Sequence, residues 1–343
     1  MRCGRFQAND VRVLPLNDDT AFDVEFVEYE IRDNYCQLQL QVERREGFDS
    51  VTVDWGDGTV DSWTGGFVWH NYSSVGRFTI RIGREARWFR LWECYTVTTD
   101  MMLLVSRPQM WLRHWGDFIE SAEASFCGWS DDDHGGLKGA LPPWGMSTTN
   151  TCCCFQFCFD ITGRVPEWTE RITDATGTFD RCTGLAGPVP EWGKNITAVA
   201  QCYSRCAGLT GKFPRWPPRC SKFNYCYEHC TGLRGELPEW PECAQELDDV
   251  YRGCTGAVGT IPRWPLAMTM CSGCYMNCPG LTGAWTDDPA ELMPEERVKY
   301  SPTTDYFRCY DVVTGCSDSL RALFWDINWG GTIPRPTPLP KWP

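Results

Sequence analysis

Thiols recur along this chain on one step. The pairs Cys202-x3-Cys206, Cys226-x3-Cys230 and Cys274-x3-Cys278 fall on a 24-residue grid that also holds Cys158, Cys182 and Cys254. Such a column can do three kinds of chemistry. Neighbouring strands of a stack lie about 4.8 Å apart, within reach of a disulfide. Zinc prefers C-x2-4-C pairs, which C-x3-C satisfies, but only with tetrahedral partners to close the site. The third role is packing: Thr178 and Val250 stand in for the first cysteine of a pair, and a slot that accepts Thr or Val treats sulfur as a small apolar group. A reduced packing column and no metal site are therefore expected, with disulfides kept as the alternative. Cys152-Cys153-Cys154, Cys220, Cys243, Cys271, Cys309 and Cys316 are the better disulfide candidates. The total of 21 cysteines is odd, so at least one is unpaired or bonded to another chain.

Trp144, Trp168, Trp192, Trp216, Trp240 and Trp264 repeat on the same step. A row of flat rings suits sugars; the competing reading, preferred here, stacks each indole on the next inside the fold. Glu191, Arg215, Glu239 and Arg263 alternate in sign beside them, which predicts a cross-rung ion ladder contributing under about 1 kcal/mol per pair. Asp54 and Asp57 offer oxygens to calcium, though tight-turn chemistry accounts for them better. Asp131-Asp132-Asp133-His134 reads as a solvated acidic loop. Four histidines and no G-x-S-x-G, H-E-x-x-H or Walker sequence leave no hydrolase or nucleotide site, so no enzyme and no cofactor are expected. Asn71-Tyr72-Ser73 and Asn195-Ile196-Thr197 match glycosylation sequons.

The elements that carry these columns follow from a third one. Gly139, Gly163, Gly187, Gly211, Gly235, Gly259 and Gly283 lie 24 residues apart, each flanked at alternate positions by apolar residues, as in Leu185-Gly187-Val189. Period two reads as a short strand, ended by Pro-x-Trp. Downstream, Ile172, Ala175, Phe179 and Cys182, then Ile196, Val199, Tyr203 and Cys206, read as the buried stripe of a three-turn helix. Gly184, Gly208, Gly232, Gly256 and Gly280 follow as its C-terminal caps. Each rung is then strand, turn, helix, and stacked rungs form a solenoid. The outward strand positions Thr162, Arg164, Thr210, Lys212, Arg234, Glu236 and Thr260 are the candidate binding face.

Before the repeats, Cys36-Leu38-Leu40-Val42, Val51-Val53-Trp55 and Phe78-Ile80-Ile82 alternate as half-buried antiparallel strands. The stretches Val53-Asp54-Trp55-Gly56-Asp57-Gly58-Thr59 and His70 to Ile80 resemble the WGDG and HxYxxxGxYTV signatures of PKD-like immunoglobulin-type sandwiches. The pattern CYxxCxGLTGxxPxW at Cys202–Trp216 and Cys226–Trp240 resembles the BspA-like branch of leucine-rich repeats found in surface proteins. Together they imply a mixed fold: a PKD-like antiparallel β-sandwich over 10–85, a solenoid cap over 86–126, and a leucine-rich-repeat strand–helix solenoid over 127–285. An irregular insertion, a degenerate last rung and a Pro-rich tail fill 286–343.

Composition narrows the function. A net charge of -13 over 343 residues and a sequence pI near 4.8 argue against nucleic acid as partner. No apolar run reaches the roughly 18–20 residues of a membrane span, and no secretory signal is visible at the start. The resemblance implies a non-enzymatic, surface-displayed adhesion protein, extracellular or at the cell surface, recognising protein or glycan through the solenoid face. The alternative is a structural component of a larger assembly, such as a virion decoration or appendage protein bound to partner subunits. A carbohydrate-binding accessory module is the weaker third reading.

Overall fold

A computed structural model describes residues 22–26, 36–72, 77–96, 110–128, 137–262, 265, 267–270 and 273–284. Trp264, Arg263, Cys271, Cys309, Cys316, Asp131–His134 and the tail after 284 lie outside the described residues.

The first third is antiparallel. Its strands are β1 (Phe22–Phe26), β2 (Cys36–Arg44), β3 (Val51–Asp54), β4 (Val60–Trp63), β5 (Gly66–Tyr72), β6 (Ile80–Gly83) and β7 (Ala86–Thr96). They form a four-stranded sheet ordered β1-β6-β3-β4 and a three-stranded sheet ordered β5-β2-β7. Alternation decides which residues go inward: Leu38, Leu40 and Val42 of β2 are buried with Val51, Val53, Val68, Ile80 and Ile82. β7, in the span assigned above to the cap, is hydrogen-bonded to β2. It also closes the end of the stack that follows. Leu91 N–H donates to the Ser125 carbonyl at 3.0 Å, Glu120 N–H to Arg87 at 2.9 Å, and the Ser125 hydroxyl to Phe89 at 2.7 Å. The two parts share one continuous apolar core.

From residue 110 onward the chain stacks in rungs that bridge one another in parallel. On one side lie β8 (Gly187–Pro188), β9 (Leu209–Thr210), β10 (Gly259–Ile261) and β11 (Leu281–Ala284), paired β8-β9 and β10-β11. Single bridges such as Gly139↔Ile161, Gly163↔Leu185, Gly211↔Leu233 and Gly235↔Ala257 continue the series. The opposite side corrects the sequence reading. No helix occurs among the described residues, which overturns the expected strand–helix leucine-rich-repeat solenoid; the segments assigned to helices are runs of turns.

The hydrogen bonds explain the difference. In the rung 151–158, Cys154, Gln156 and Cys158 N–H donate three residues back, closing turns, while Thr151, Cys153, Phe155 and Phe157 donate to carbonyls of Asp174, Thr176, Thr178 and Asp180 in the next rung. The next step repeats this, from Ala175, Gly177, Phe179 and Arg181 to Ala198, Ala200, Cys202 and Ser204. A helix would spend those donors within its own rung. Alternate donors turn outward because two columns adopt left-handed backbone: Cys153, Gly177, Gln201, Tyr225, Asp249 and Gly273, and Phe157, Arg181, Arg205, His229, Gly253 and Asn277. Buried residues still fall at i, i+3, i+4, i+7, as in Val199, Cys202, Tyr203 and Cys206. That spacing is also a helix face, which is why the sequence pattern misleads.

The two glycine columns have different causes. Gly187 has φ of 93° and Gly211 φ of 90°, the left-handed region where a side chain strains the backbone. Gly208 is not a helix cap: a Cβ there would stand 2.3 Å from the Leu185 carbonyl oxygen, so the column exists for close backbone approach.

Candidate binding surface and the ladders beneath it

Inside each rung three side-chain columns stack on themselves. Phe155, Phe179, Tyr203, Tyr227, Tyr251 and Tyr275 form one pile, with successive ring centroids 5.6–6.0 Å apart and interplanar angles of 2–19°. The indoles of Trp144, Trp168, Trp192, Trp216 and Trp240 form a second at 5.5–6.3 Å, and each is only 6–8% exposed. A ring so covered offers no face to a sugar. The piles are cross-linked: Trp168 Nε1 donates to Tyr203 OH at 3.0 Å, Trp192 to Tyr227 at 3.2 Å and Trp240 to Tyr275 at 3.0 Å. Two positions break the rule. Neither Trp216 Nε1 nor Tyr251 OH makes a well-formed hydrogen bond, although Trp216 still acts on the Tyr251 hydroxyl and offsets part of the effect of its burial. Trp144 Nε1 is also without one, because its ring packs near Phe179, which has no hydroxyl.

The third column is sulfur. Cys182, Cys206, Cys230, Cys254 and Cys278 are thiols, each donating to a backbone carbonyl one rung back: Phe155, Phe179, Tyr203, Tyr227 and Tyr251, at 2.9–3.0 Å. Those carbonyls also accept the N–H of the cysteine three residues on, so both lone pairs are used. Burial, with neighbouring thiols adding to it, pushes the Cys182, Cys230 and Cys254 thiols well above their ordinary range, and burial raises Cys278 to about 12. A thiol so held is a poor nucleophile and a poor metal ligand. Cys152, Cys153, Cys154, Cys220 and Cys243, the described disulfide candidates, are thiols as well. No group of three or more His, Cys, Asp or Glu able to hold a metal occurs among the described residues.

A polar column that sequence reasoning missed runs beside the thiols. Asp180 and Glu228 are 5% and 6% exposed. Gln156 Nε2 donates to Asp180 at 3.0 Å, the Ser204 hydroxyl to Glu228 at 3.3 Å, and Arg205 lies 3.6 Å from Glu228. Burial raises the Asp180 carboxyl above its ordinary value despite these bonds. The signal was visible as Gln156, Asp180, Ser204 and Glu228 on the 24-residue grid. The expected ion ladder, by contrast, does not form among its described members. Glu191, Arg215 and Glu239 are exposed, and among the described residues none of them makes an ion pair. Long side chains in water lose more entropy than such a pair returns.

The candidate binding face is solvent-exposed throughout: Thr162, Arg164, Thr210, Lys212, Arg234, Glu236 and Thr260. The bridge Gly211↔Leu233 sets Lys212 beside Arg234, two cations on adjacent strands with no ion-pair partner among the described residues. In the first third, Asp54 and Asp57 are occupied by the turn. Asp54 Oδ1 accepts Gly56 N–H at 2.9 Å, and Asp57 accepts Thr59 N–H at 2.9 Å and His70 Nε2 at 2.8 Å. Burial pushes the Asp57 carboxyl up, but the Thr59 bonds and His70 outweigh it and hold it below its ordinary value. His70 stacks on Trp55 at 4.6 Å, and Tyr72 OH donates to the Trp55 carbonyl at 2.9 Å. These carboxylates brace a hairpin.

No helix among the described residues is long and apolar enough to cross a membrane. Compared with known proteins, the chain matches no family model, no curated protein and no solved structure.

Proposed function

We propose that this is a non-enzymatic binding protein, displayed at a surface, whose rigid stack presents its strand strip to a ligand carrying negative charge, a protein or a glycan. One observation carries the reading: the exposed cations Lys212 and Arg234 stand side by side without a carboxylate partner among the described residues, in a chain of net charge -13. Like charges on directly adjacent strands are destabilising, and an acidic ligand would relieve that cost. The strip also changes chemistry from rung to rung while its backbone repeats, and the columns behind it are committed to internal bonds.

The test is binding of the whole chain to immobilised heparin, polysialic acid and a polyglutamate peptide at low salt. At least one probe should bind, with the Lys212→Glu/Arg234→Glu double variant weakening it by about tenfold or more and 0.5 M salt doing the same. A Glu191→Gln/Glu239→Gln control on the neighbouring column should leave binding intact. Failure of the native chain to bind any of the three, or equal binding by both variants, sinks the reading.

A further inference from the structure

Two sulfurs stand against each other on the turn side, outside the buried thiol column. Cys152 and Cys153, neighbours in sequence and both half-buried, place their Sγ atoms 3.7 Å apart. Consecutive side chains of extended backbone point to opposite faces. Here Cys153 takes a φ of 53°, and the turn brings both sulfurs to one side. The main chain around them is fixed: Cys152 N–H donates to Asn150 Oδ1 at 2.9 Å, and Cys153 N–H to the Thr176 carbonyl at 2.8 Å. Gly177, which faces Cys153 from the next rung, leaves room, since a Cβ there would stand 3.1 Å from the Cys153 sulfur. The column thiols donate to carbonyls, whereas among the described residues these two sulfurs bond only each other. Later rungs hold Thr176-Gly177, Ala200-Gln201 and Asn224-Tyr225 at the same two positions, so packing does not require the pair.

We propose that Cys152 and Cys153 form a dithiol site for trivalent arsenic, as arsenous acid or an organic arsenical, bound through both sulfurs. The exchange conserves electrons: two As–O bonds break, two As–S bonds form, and the two thiol protons leave with the oxygens as two waters. Three physical points favour this occupant. A disulfide fits badly, because adjacent Cα atoms lie about 3.8 Å apart, inside the usual range of about 4.4–6.8 Å. Zinc needs four ligands, and no group of three or more His, Cys, Asp or Glu is gathered among the described residues. A two-coordinate soft cation such as cuprous ion is linear and holds its sulfurs apart, whereas pyramidal arsenic takes two sulfurs near contact. Charge points the same way. The bond from Cys153, burial and the carboxylates of Asp174 and Glu123 push the Cys152 thiol well above its ordinary range. Oxidation by peroxide needs the thiolate that this setting disfavours. Condensation with arsenous acid carries the protons away as water and adds no charge beside Asp174 and Glu123.

The test is titration of the whole reduced chain with phenylarsonous acid, read by native mass spectrometry and peptide mapping. One phenylarsenic group should map to Cys152 and Cys153, and arsenous acid should displace it. Because two linked sulfurs hold one arsenic, Cys152→Ser and Cys153→Ser should each weaken binding at this place by about a hundredfold or more. Both variants should keep the native thermal midpoint, and Cys243→Ser, a half-buried thiol elsewhere, should leave the adduct intact. A measurement on the native chain does not depend on the variants: dimercaptopropanol should strip the arsenic, and mercaptoethanol at the same thiol concentration should not. An adduct absent from this pair, one that survives either serine variant, or one that the monothiol strips as readily overturns the proposal. So does a chain that closes Cys152 to Cys153 as a disulfide in air and then takes up no arsenic until reduced, which would make the pair a redox site.

Discussion

The turn side and the strand side of the stack share one 24-residue period and use it in opposite ways. Each step on the turn side is tied by four outward backbone donors, two piles of aromatic rings and a thiol-to-carbonyl ladder. Each step on the strand side has one or two backbone bonds, such as Thr162 to Gly139 and Gly139 to Asp160. Its outward side chains are exposed and differ from rung to rung. The difference teaches where tolerance lies. Cohesion concentrates on the side whose columns are nearly invariant, which leaves the other free to vary without loosening the rungs.

The sharpest break between the sides should come with alkali. The raised thiols, Cys154, Cys182, Cys202, Cys226, Cys230 and Cys254 among them, all belong to the turn side. Below their ordinary value of 9.0 both folded and unfolded chains hold these protons. Above it the unfolded chain releases them while the fold does not, so stability falls as pH rises, by about 1.4 kcal/mol per thiol for each further pH unit. We expect cooperative unfolding near pH 10 by circular dichroism; a fold stable beyond pH 11 would contradict the buried-thiol column. Next, Tyr227→Ala, which removes a ring from the pile and the acceptor of Trp192, should cost about 4 kcal/mol in urea titration. Thr210→Ala on the strip should stay within about 0.5 kcal/mol. The glycines give a narrower contrast. Gly208→Ala drives a Cβ to 2.3 Å from the Leu185 oxygen, costing about 3 kcal/mol. Gly211→Ala strains chiefly its own backbone at φ of 90° and brings a Cβ to 3.3 Å from the Pro188 Cβ, a much milder approach, costing about 1–2 kcal/mol. Equal costs at the two sites would erase the distinction between close approach and strain.

The strand side was largely legible in the sequence because period two has one structural meaning. Leu185, Leu209 and Leu233 are buried, and the residues after them exposed, as their alternation requires. The turn side was not, because i, i+3, i+4, i+7 serves both a helix and a run of alternating turns. A clue was present: Gly177, Gly253 and Gly273 sit mid-run, where each would cost a helix about 1 kcal/mol. The Lys212–Arg234 adjacency was hidden by register. Strands pair at an offset of 22, as in Gly187↔Leu209, not at the repeat of 24.

The smallest effect tests the turn side from within. Four positions of the ring pile allow the comparison of hydroxyl and bare ring: Trp168, Trp192 and Trp240 each donate to a tyrosine, whereas Trp144 Nε1 lies buried against Phe179 with no acceptor. A buried donor left unpaired costs more than a made bond returns. Phe179→Tyr adds the missing oxygen at the place the other rungs put it, and Tyr203, Tyr227 and Tyr251 show that the slot accommodates a hydroxyl without exposure. It should therefore raise stability by about 1 kcal/mol, where almost any other substitution in a packed core lowers it. In a Trp144→Phe background the donor is gone, and the same change should lose its benefit and turn slightly unfavourable. A gain that persists in that background would mean the hydroxyl finds another partner, and the Trp-to-Tyr cross-link would not be what ties the two piles together.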